Sequence, residues 1–598
     1  MRPLLATSSA DVGTWFGGKL LLLVVATIAV LPLALRGTSC GQDFDFHLQN
    51  WLEVTRSWHQ GVLYPHWAAS ANYGAGEPRF IFYPPLAWML GASLGTVLPW
   101  SWTPFAFAFL ALLGAGWSFQ AMAREWVTDE AATAGACLYV VNPYLLFVLY
   151  ERSALAELLA ASWIPLLVLC GLRKKAALVQ LALALAAIWL TNAPAAVIGC
   201  YMLAGLVAVD ALQQRDWALV RRAAIAVPLG LGLAAFWLVP ALFEQRWVQI
   251  GRAIGPLMRV EDSFLFEPVK WPGKFPPTSD EILATAYHNL VLHTASWIVV
   301  SLVLAAALAA WLSYRRRSVL WVPLVVVGAA IAVLQLRWSD LIWRITPELR
   351  YLQFPWRWML ALGMIAAALA GLALETGARG RSSLSGPRGR MLGRWFGRVA
   401  VLMLALGLTA FAALHFWQPC DEEDNVQAQI ATLHTTGFEG TDEYTPLGGS
   451  NDDLDDMMSD RDEMIAPVTL LETDATLDSD LFADDSSEPH TAPGHVELQD
   501  WDTEHMTAVV TTPGSELALL RLMDYPGWRI RLNGSAVRMR HMDGLPVVPL
   551  AAGVNRIDIR WITTGDVWAG RGLSIAALAI TLALSRRERR KIRAVPIP

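Results

Sequence analysis

The chain has 598 residues, of which 55% are hydrophobic and 16% charged, and it contains 28 tryptophans. Soluble domains carry about 25% charged residues. Apolar runs near the length of a membrane helix recur from end to end, so the composition excludes a soluble globular protein and predicts a polytopic membrane protein. The net charge of −6 hides an asymmetry, because residues 421–490 contain 21 acidic side chains and one basic side chain, Arg461.

We predict an α-helical membrane domain with about 12 spans. The apolar stretch Pro84–Trp100 is interpreted as an interfacial or re-entrant helix, because counting it as a span would place every later basic loop outside. All basic loops then share one face, which the positive-inside rule makes cytoplasmic. The first span is expected to be retained, since no small-x-small cleavage site follows it. The spans are expected at approximately 17–36, 103–122, 131–149, 154–172, 176–191, 194–210, 223–243, 292–312, 319–337, 356–374, 399–418 and 568–585.

The segment Gly41–His47 places two carboxylates and an imidazole directly after the first span, where charged groups are costly unless they are used. Asp43 and Asp45 share a face if the segment is extended, whereas Asp43 and His47 share a face if it is helical. In either case a carboxylate can act as a general base that removes a proton from an acceptor while a glycosyl bond forms. The alternative is a solvated loop at a helix end.

A loop rich in glycine and proline follows between Asn72 and Leu86 and carries Glu77 and Arg79. The planar fork of an arginine suits a phosphate group, so this pair is a candidate for binding the phosphate of a lipid. The alternative is a structural salt bridge.

Three further charged residues lie where spans meet the outer face. Glu151 and Arg152 occupy a short turn, and Glu157 begins an apolar helix, where an ionisable group usually pairs or lines a cavity. Arg152 could therefore simply neutralise Glu157. Arg357 precedes another span and is a second candidate for a lipid phosphate, whereas the aromatic residues around it are typical of an interfacial belt.

Two cysteines, Cys40 and Cys420, lie just outside the membrane on the face that permits oxidation, and we predict that they pair. No metal site is predicted, because the histidines lack a metal-ligand spacing and the Asp-x-Asp-x-Asp-Gly pattern of a calcium loop is absent. No cofactor is required by a motif, although a divalent metal is compatible with the acidic segment. No nucleic-acid patch is visible.

The domain boundaries follow from these patterns. Residues 1–418 form the membrane domain with its outer loop 37–102, and residues 419–494 are expected to be an acidic, largely flexible segment. Alternating apolar residues in 495–567 predict a small β-sandwich with a hairpin turn at Asn533-Gly534. Residues 568–598 contain the last span and a basic cytoplasmic tail.

The chain resembles the C-type glycosyltransferase (GT-C) superfamily. More closely, Gly41–His47, Tyr73–Leu86, Glu151–Glu157 and Gln353–Arg357 resemble the bacterial membrane proteins named "6-pyruvoyl-tetrahydropterin synthase-related". The GT-C resemblance implies a catalytic acid in the first outer loop, a following juxtamembrane helix and a polyprenyl-phosphate sugar as donor. The histidine site of pterin chemistry is not evident in this sequence.

The leading hypothesis is a glycosyltransferase of the bacterial cytoplasmic membrane whose active face is extracytoplasmic. Its partners would be a polyprenyl-phosphate sugar, membrane lipid and an acceptor that the sequence does not identify. Asp43, Asp45 and His47 are the expected catalytic residues, and Glu77, Arg79, Glu151, Arg152, Glu157 and Arg357 are expected to bind substrate. The alternatives are a non-enzymatic translocator of lipid or polymer, whose cavity would also need charges, and an envelope scaffold.

Overall fold

The computed structural model describes residues 9–173, 178–271, 277–316, 318–382, 387–451, 454, 466–472, 492–542 and 544–593. The predicted fold class is confirmed: a mostly helical, polytopic chain with an antiparallel β-domain before its last helix. The helices are α1 Ser9–Arg36, α2 Phe44–His59, α3 Arg79–Phe82, α4 Pro85–Gly95, α5 Thr103–Ala123, α6 Asp129–Val140, α7 Pro143–Tyr150, α8 Leu155–Ala160, α9 Ile164–Leu172, α10 Leu178–Trp189, α11 Ala193–Gln214, α12 Ala218–Leu233, α13 Ala235–Glu244, α14 Ser279–Ser313, α15 Trp321–Leu334, α16 Asp340–Ile345, α17 Pro347–Arg350, α18 Met359–Ser382, α19 Pro387–His415, α20 Val426–His434 and α21 Gly565–Arg593.

Within the described residues, nine helices are long and apolar enough to cross a membrane, and two bent helix pairs raise the number to 11. These positions correspond to eleven of the predicted spans. The remaining predicted span, 176–191, is α10, a helix of 12 residues. At 1.5 Å per residue it is shorter than the hydrocarbon core of a bilayer, which is about 30 Å thick.

Breaks in the spans follow local sequence. Asn142 ends the run of α6, and its side-chain oxygen accepts from the N–H groups of Tyr144 and Leu145 at 3.0 and 3.1 Å. Pro143 then occupies the first position of α7, where its missing N–H costs nothing. The cap and the proline together restart the helix within one span.

The outer loop contains two short helices, α3 and α4. The stretch Pro84–Trp100 is occupied mainly by α4, whose 11 residues are too few to cross a bilayer. This helix packs on α2, and Trp51 of α2 lies against Gly91.

The acidic segment is more structured than expected in its described part. Asn425 caps α20, and Gln49 of α2 donates to Gln429 of α20 at 2.9 Å. Residues 468–471 form a strand that enters the β-domain. In these stretches pairing with the outer loop and the sheet compensates for the low local hydrophobicity, and the flexibility of the segment stays a prediction. Residues 455–465 and 473–491 lie outside the described residues.

The β-domain is a sandwich of two antiparallel sheets, with strand orders β1-β4-β8-β7 and β2-β3-β9-β5-β6. The predicted hairpin is present: Asn533 and Gly534 have φ of 51° and 82° between β5 and β6, the left-handed backbone that such a turn requires. The strands are β1 Val468–Leu471, β2 His495–Trp501, β3 His505–Thr512, β4 Glu516–Leu520, β5 Trp528–Leu532, β6 Ser535–Ala536, β7 Arg540–Met542, β8 Leu545–Leu550 and β9 Gly553–Trp561.

The outer loop and the β-domain share a hydrophobic core. Trp67 is fully buried, and its ring lies 5.9, 5.4 and 5.7 Å from the rings of Tyr525, Trp528 and Trp561. The N–H of Met523 also donates to the carbonyl of Ala75 at 2.8 Å. These contacts fix the β-domain directly over the loop that carries the acidic motif.

Candidate active site

The acidic motif adopts the helical alternative. Helix α2 begins at Phe44, directly after Asp43, and the N–H of His47 donates to the carbonyl of Asp43 at 3.2 Å. Asp43 and His47 therefore follow one face of the helix, and Asp45 lies on another. The positive end of the helix dipole favours both carboxylates at this position.

Gly41 brings the motif against the turn that follows α7. A Cβ atom at Gly41 would overlap the backbone of Glu151 and Arg152. The N–H of Gly41 donates to Ser153 Oγ at 3.1 Å, and the N–H of Asp43 donates to the carbonyl of Arg152 at 2.8 Å. A residue without a side chain is thus needed for this close approach.

Arg152 is the centre of a buried ion cluster. Its guanidinium donates from Nη1 to Glu157 Oε2 at 2.6 Å and from Nη2 to Asp43 Oδ2 at 3.2 Å. The side chains of Arg152 and Glu157 are 2% and 5% exposed, whereas that of Asp43 is 38% exposed. Asp43 is therefore more open to solvent than Arg152 and Glu157.

Two residues from other spans complete the cluster. The hydroxyl of Tyr144 donates to Glu157, and Arg357 Nε lies 3.8 Å from Glu157 Oε2. Arg357 Nη1 donates to the carbonyl of Leu352 at 3.1 Å and to Gln353 Oε1 at 3.3 Å. The predicted neutralisation of Glu157 by Arg152 is thus present, and Arg357 joins it.

Several buried donors of this region have no hydrogen-bond partner within the described residues. They are Nε of Arg152, Nε of Arg357 and Nδ2 of Asn50. An unpaired buried donor costs about 1–3 kcal/mol. Arg152 and Arg357 of the ion cluster thus each keep one donor unused, whereas the amide of Asn50 lies beside Arg79.

Asp45 differs from Asp43 because no cation of the described residues forms an ion pair with its carboxylate. Burial raises the pKa of Asp45 above its usual range, and the nearby negative charges of Asp424 and Asp43 raise it further. A raised pKa makes a carboxylate a better proton acceptor near neutral pH.

His47 does not reach the surface. It is 2% exposed, its ring lies 6.1 Å from that of Tyr83 and 6.4 Å from that of Trp51, and its Nε2 accepts from the N–H of Ala156 at 3.5 Å. Burial lowers the pKa of His47 to about 4, so the ring is neutral at pH 7. The expected catalytic role of His47 does not fit this position, since the ring packs inside the loop.

Glu77 and Arg79 form a closed, buried pair. Arg79 Nε donates to Glu77, Nη1 donates to Asn50 Oδ1 at 3.3 Å, and Nη2 donates to Thr441 Oγ1 at 2.9 Å. The side chain of Glu77 is 0% exposed and that of Arg79 is 1% exposed. Each nitrogen of the buried guanidinium already donates to a protein group, which favours the structural salt bridge over the expected role in phosphate binding.

Glu151 lies beside the cluster without joining it. Its Oε1 accepts from the hydroxyl of Tyr287 in α14 at 3.1 Å, and the residue is 5% exposed. Burial raises the pKa of Glu151, against the opposing effect of its hydrogen bonds. Glu151 thus ties the turn after α7 to α14.

Sequence reasoning missed two tyrosines and a threonine of this region. The hydroxyl of Tyr144 donates a hydrogen bond to Glu157. The ring of Tyr83 contacts the rings of Phe46 and His47. Thr441 accepts a hydrogen bond from Arg79 through its hydroxyl and donates one to Glu77 through its N–H. The signal for Tyr144 was its place after Asn142-Pro143, where a helix restarts inside a span. No local signal marks Thr441, since it lies more than 360 residues from its partners.

The cysteine pair is present. Cys40 and Cys420 form a disulfide with a Cα–Cα distance of 4.9 Å. The bond joins the end of the first span to the start of the acidic segment, directly before the motif that carries Asp43. Among the described residues, no group of three or more His, Cys, Asp or Glu could hold a metal ion.

The fold and the site define a polytopic membrane protein with a buried ion cluster beneath a β-domain. Residues 80–254 match the family model of the 6-pyruvoyl-tetrahydropterin synthase related domain, described as a membrane protein. The resemblance to this group is confirmed over that segment. No curated protein sequence matches the chain.

Three solved structures of transferases are similar to parts of the chain. The arabinofuranosyltransferase AftD from Mycobacteria is 19% identical over 67% of this chain and 27% of its own, with a TM-score of 0.39. The oligosaccharyltransferase of Archaeoglobus fulgidus is 13% identical over 70% and 56% of the two chains, with a TM-score of 0.40. ArnT from Cupriavidus metallidurans is 15% identical over 72% and 78%, with a TM-score of 0.39. This chain spans about a quarter of AftD and just over half of the oligosaccharyltransferase.

Proposed function

We propose that this protein is a membrane glycosyltransferase that moves a sugar from a polyprenyl-phosphate donor to an acceptor at the extracytoplasmic face. One observation carries the proposal: a half-exposed carboxylate, Asp43, is held by a buried arginine at the end of a membrane helix.

Asp43 is proposed as the general base. Its backbone and its carboxylate are both fixed by Arg152, so little reorganisation is needed when an acceptor arrives. The acceptor hydroxyl gives its proton to Asp43, its oxygen bonds to the sugar carbon, and the bond from that carbon to the phosphate oxygen breaks. The lipid phosphate leaves with the electron pair as an anion. In this scheme Arg152 is a positioning residue.

Arg357 is proposed to bind the leaving phosphate. It enters its span from the same face as Asp43, and its Nε has no hydrogen-bond partner within the described residues. A cation placed near the leaving oxygen stabilises the charge that develops there. Glu157, 3.8 Å away, would hold Arg357 in place without saturating it.

Asp45 is proposed as a second carboxylate of the site, with its burial and the charge of Asp43 keeping it basic. In this scheme Asp45 orients the acceptor, and Asp43 alone takes the proton. The choice of a lipid-linked donor rests on the resemblance of the outer-loop motifs to GT-C enzymes and on the position of the cluster at the end of the spans, where a lipid can deliver its headgroup.

The test compares matched carboxamide variants in membranes that contain the natural acceptor. Isotope-labelled polyprenyl-phosphate sugars are supplied as a panel, and release of polyprenyl phosphate and labelling of the membrane fraction are measured. Asp43→Asn should lose about 10²-fold or more in rate while still binding the donor. Glu422→Gln, an exposed acid near the disulfide, is the control and should be unaffected.

Two results would overturn the assignment. Wild-type rates in Asp43→Asn would remove Asp43 as the base. Movement of the intact donor across the bilayer without release of polyprenyl phosphate would identify the protein as a translocator instead.

A further inference from the structure

A cavity lies away from the ion cluster, between the outer loop, the bend before α13 and the end of α21 that adjoins the β-domain. Its volume is about 380 Å³, within the range of roughly 300–1,000 Å³ typical of ligand pockets. The lining is mainly apolar and includes Tyr64, Phe80, Phe236 and Trp237. The cavity is therefore suited to a hydrocarbon chain.

Helix α3 separates this cavity from the proposed active site. Phe80 and Ile81 line the cavity. Arg79, one residue earlier, contacts Glu77 and Asn50 and lies over the ring of Phe46, next to Asp45. The two sides of one short helix thus face two different sites.

Helices α12 and α13 meet at a bend of 75°, and Phe236 and Trp237 just after the bend line the cavity. Backbone groups freed by a bend must be satisfied inside a bilayer. Ser574 of α21 does this, because its Oγ accepts from the N–H of Phe236 at 2.9 Å and donates to the carbonyl of Gly232 at 3.1 Å. Ser574 is therefore not available to a ligand.

Arg571 is the charged group of the cavity that remains available. It is half-buried, its guanidinium lies 5.3 Å from the ring of Trp568, and no carboxylate of the described residues forms an ion pair with it. The other basic lining residue, His66, already contacts Glu504 at 3.2 Å. An arginine in a largely apolar surrounding needs an anion or water near its head.

The position of Arg571 identifies the source of that anion. The residue lies six positions after Gly565, the start of α21, which is about 9 Å along the helix. The β-domain ends directly before this helix at Trp561. Arg571 is thus within two turns of the end of α21 that adjoins the β-domain, from which a long side chain can extend toward lipid headgroups.

We propose that this cavity binds an anionic phospholipid of the surrounding membrane, with an acyl chain among the aromatic residues and the phosphate against Arg571. The bound lipid would fill the space between α13, α21 and the outer loop. It would thereby hold the β-domain and the loop in register. The proposal is independent of glycosyl transfer, because the lipid is neither donor nor acceptor.

Native mass spectrometry of the full-length, delipidated protein tests the proposal. The probes are palmitoyl-oleoyl phosphatidylglycerol and palmitoyl-oleoyl glycerol, which share their chains and differ in the phosphate headgroup. Wild-type protein should retain the anionic lipid roughly tenfold more strongly, as expected for one charge-assisted contact. Arg571→Gln should lose this preference, and Arg571→Lys should keep most of it.

Three controls make the result specific. Arg586→Gln removes an exposed cation from the opposite end of α21 and should change nothing. Ile575→Trp adds bulk at a lining residue that is 69% exposed, and it should weaken binding of both lipids. Asp43→Asn should bind like wild type, which separates this proposal from the proposed function.

Equal retention of the two lipids by the wild-type protein would overturn the proposal, as would equal losses in Arg571→Gln and Arg586→Gln. In a competition arm, undecaprenyl phosphate should not displace phosphatidylglycerol at equal concentration. Displacement that depends on Arg571 would instead assign the cavity to a substrate lipid and would overturn the phospholipid assignment.

Discussion

Asp43 and Arg152 are joined twice, once through the backbone at 2.8 Å and once through their side chains at 3.2 Å. The double contact fixes the start of α2 against the turn after α7. The carboxylate of Asp43 is partly exposed to solvent, whereas the guanidinium of Arg152 that binds it is buried. The position of the carboxylate is thus set by the membrane domain rather than by the loop that carries it.

The first prediction concerns the stability of the ion cluster. Arg152→Gln should destabilise the protein strongly, because removing one partner of a buried ion pair costs about 3–5 kcal/mol. The double variant Arg152→Gln/Glu157→Gln should recover part of the loss, since it leaves no uncompensated charge on Glu157. Thermal unfolding midpoints in detergent measure both. A double variant less stable than the single one would contradict a charge-pair origin of the effect.

The second prediction separates the two candidate phosphate arginines. Arg357→Lys should weaken equilibrium binding of polyprenyl phosphate by roughly tenfold, because a lysine lacks the planar fork, with little change in the unfolding midpoint. Arg79→Lys should do the reverse, since the three nitrogens of the buried Arg79 guanidinium donate to Glu77, Asn50 and Thr441. A loss of donor affinity in Arg79→Lys without a loss of stability would restore Arg79 as a phosphate ligand.

The third prediction follows from the lowered pKa of His47, about 4 in the folded protein against an ordinary 6.5. Between these values the unfolded chain binds a proton that the folded protein does not, so stability should fall as the pH decreases from 6.5 to 4. The slope for one group is at most about 1.4 kcal/mol per pH unit. His47→Gln should flatten this part of the profile, which thermal unfolding at several pH values measures. An unchanged profile would show that His47 is not the group responsible.

The fourth prediction concerns Asp45, whose pKa is raised above its ordinary 3.8 by burial and by neighbouring carboxylates. The folded protein binds this proton more readily than the unfolded chain, so the contribution of Asp45 to the free energy of unfolding is greatest at low pH and falls as the pH rises through the raised pKa. Asp45→Asn should therefore raise the unfolding midpoint at pH 7 and lose this advantage near pH 4. A lower midpoint at pH 7 would mean that the ionised carboxylate is stabilised instead.

The fifth prediction concerns the disulfide and the orientation in the membrane. With Cys137, Cys170 and Cys200 replaced by alanine, the protein should take no thiol label until it is reduced, because Cys40 and Cys420 are bonded.

In the same background, Ser535→Cys in the β-domain should be labelled from outside intact cells. Ser385→Cys, outside the described residues, should be labelled only after permeabilisation. Labelling of position 385 from outside would reverse the orientation.

The sequence by itself determined the elements of this protein. Hydropathy located eleven positions that the structure occupies with helices or bent helix pairs long enough to span a membrane, and alternation with Asn533-Gly534 located the sandwich and its hairpin. These features depend on the polarity and backbone preferences of neighbouring residues, so they are readable locally. The polar clusters were also visible, because charges beside apolar spans are rare.

Only the tertiary structure decided which of those charges work together. The acidic motif is helical, and Asp43 pairs with Arg152, which lies 109 positions away in the sequence. Thr441, from a segment expected to be flexible, forms hydrogen bonds with both Glu77 and Arg79. Each of these pairings depends on how whole helices and loops pack, and hydropathy carries no information about partners so far apart in sequence. The charged residues can therefore be recognised in the sequence as candidates for a site. Only their geometry distinguishes the partly exposed carboxylate of Asp43 from the buried salt bridge between Glu77 and Arg79.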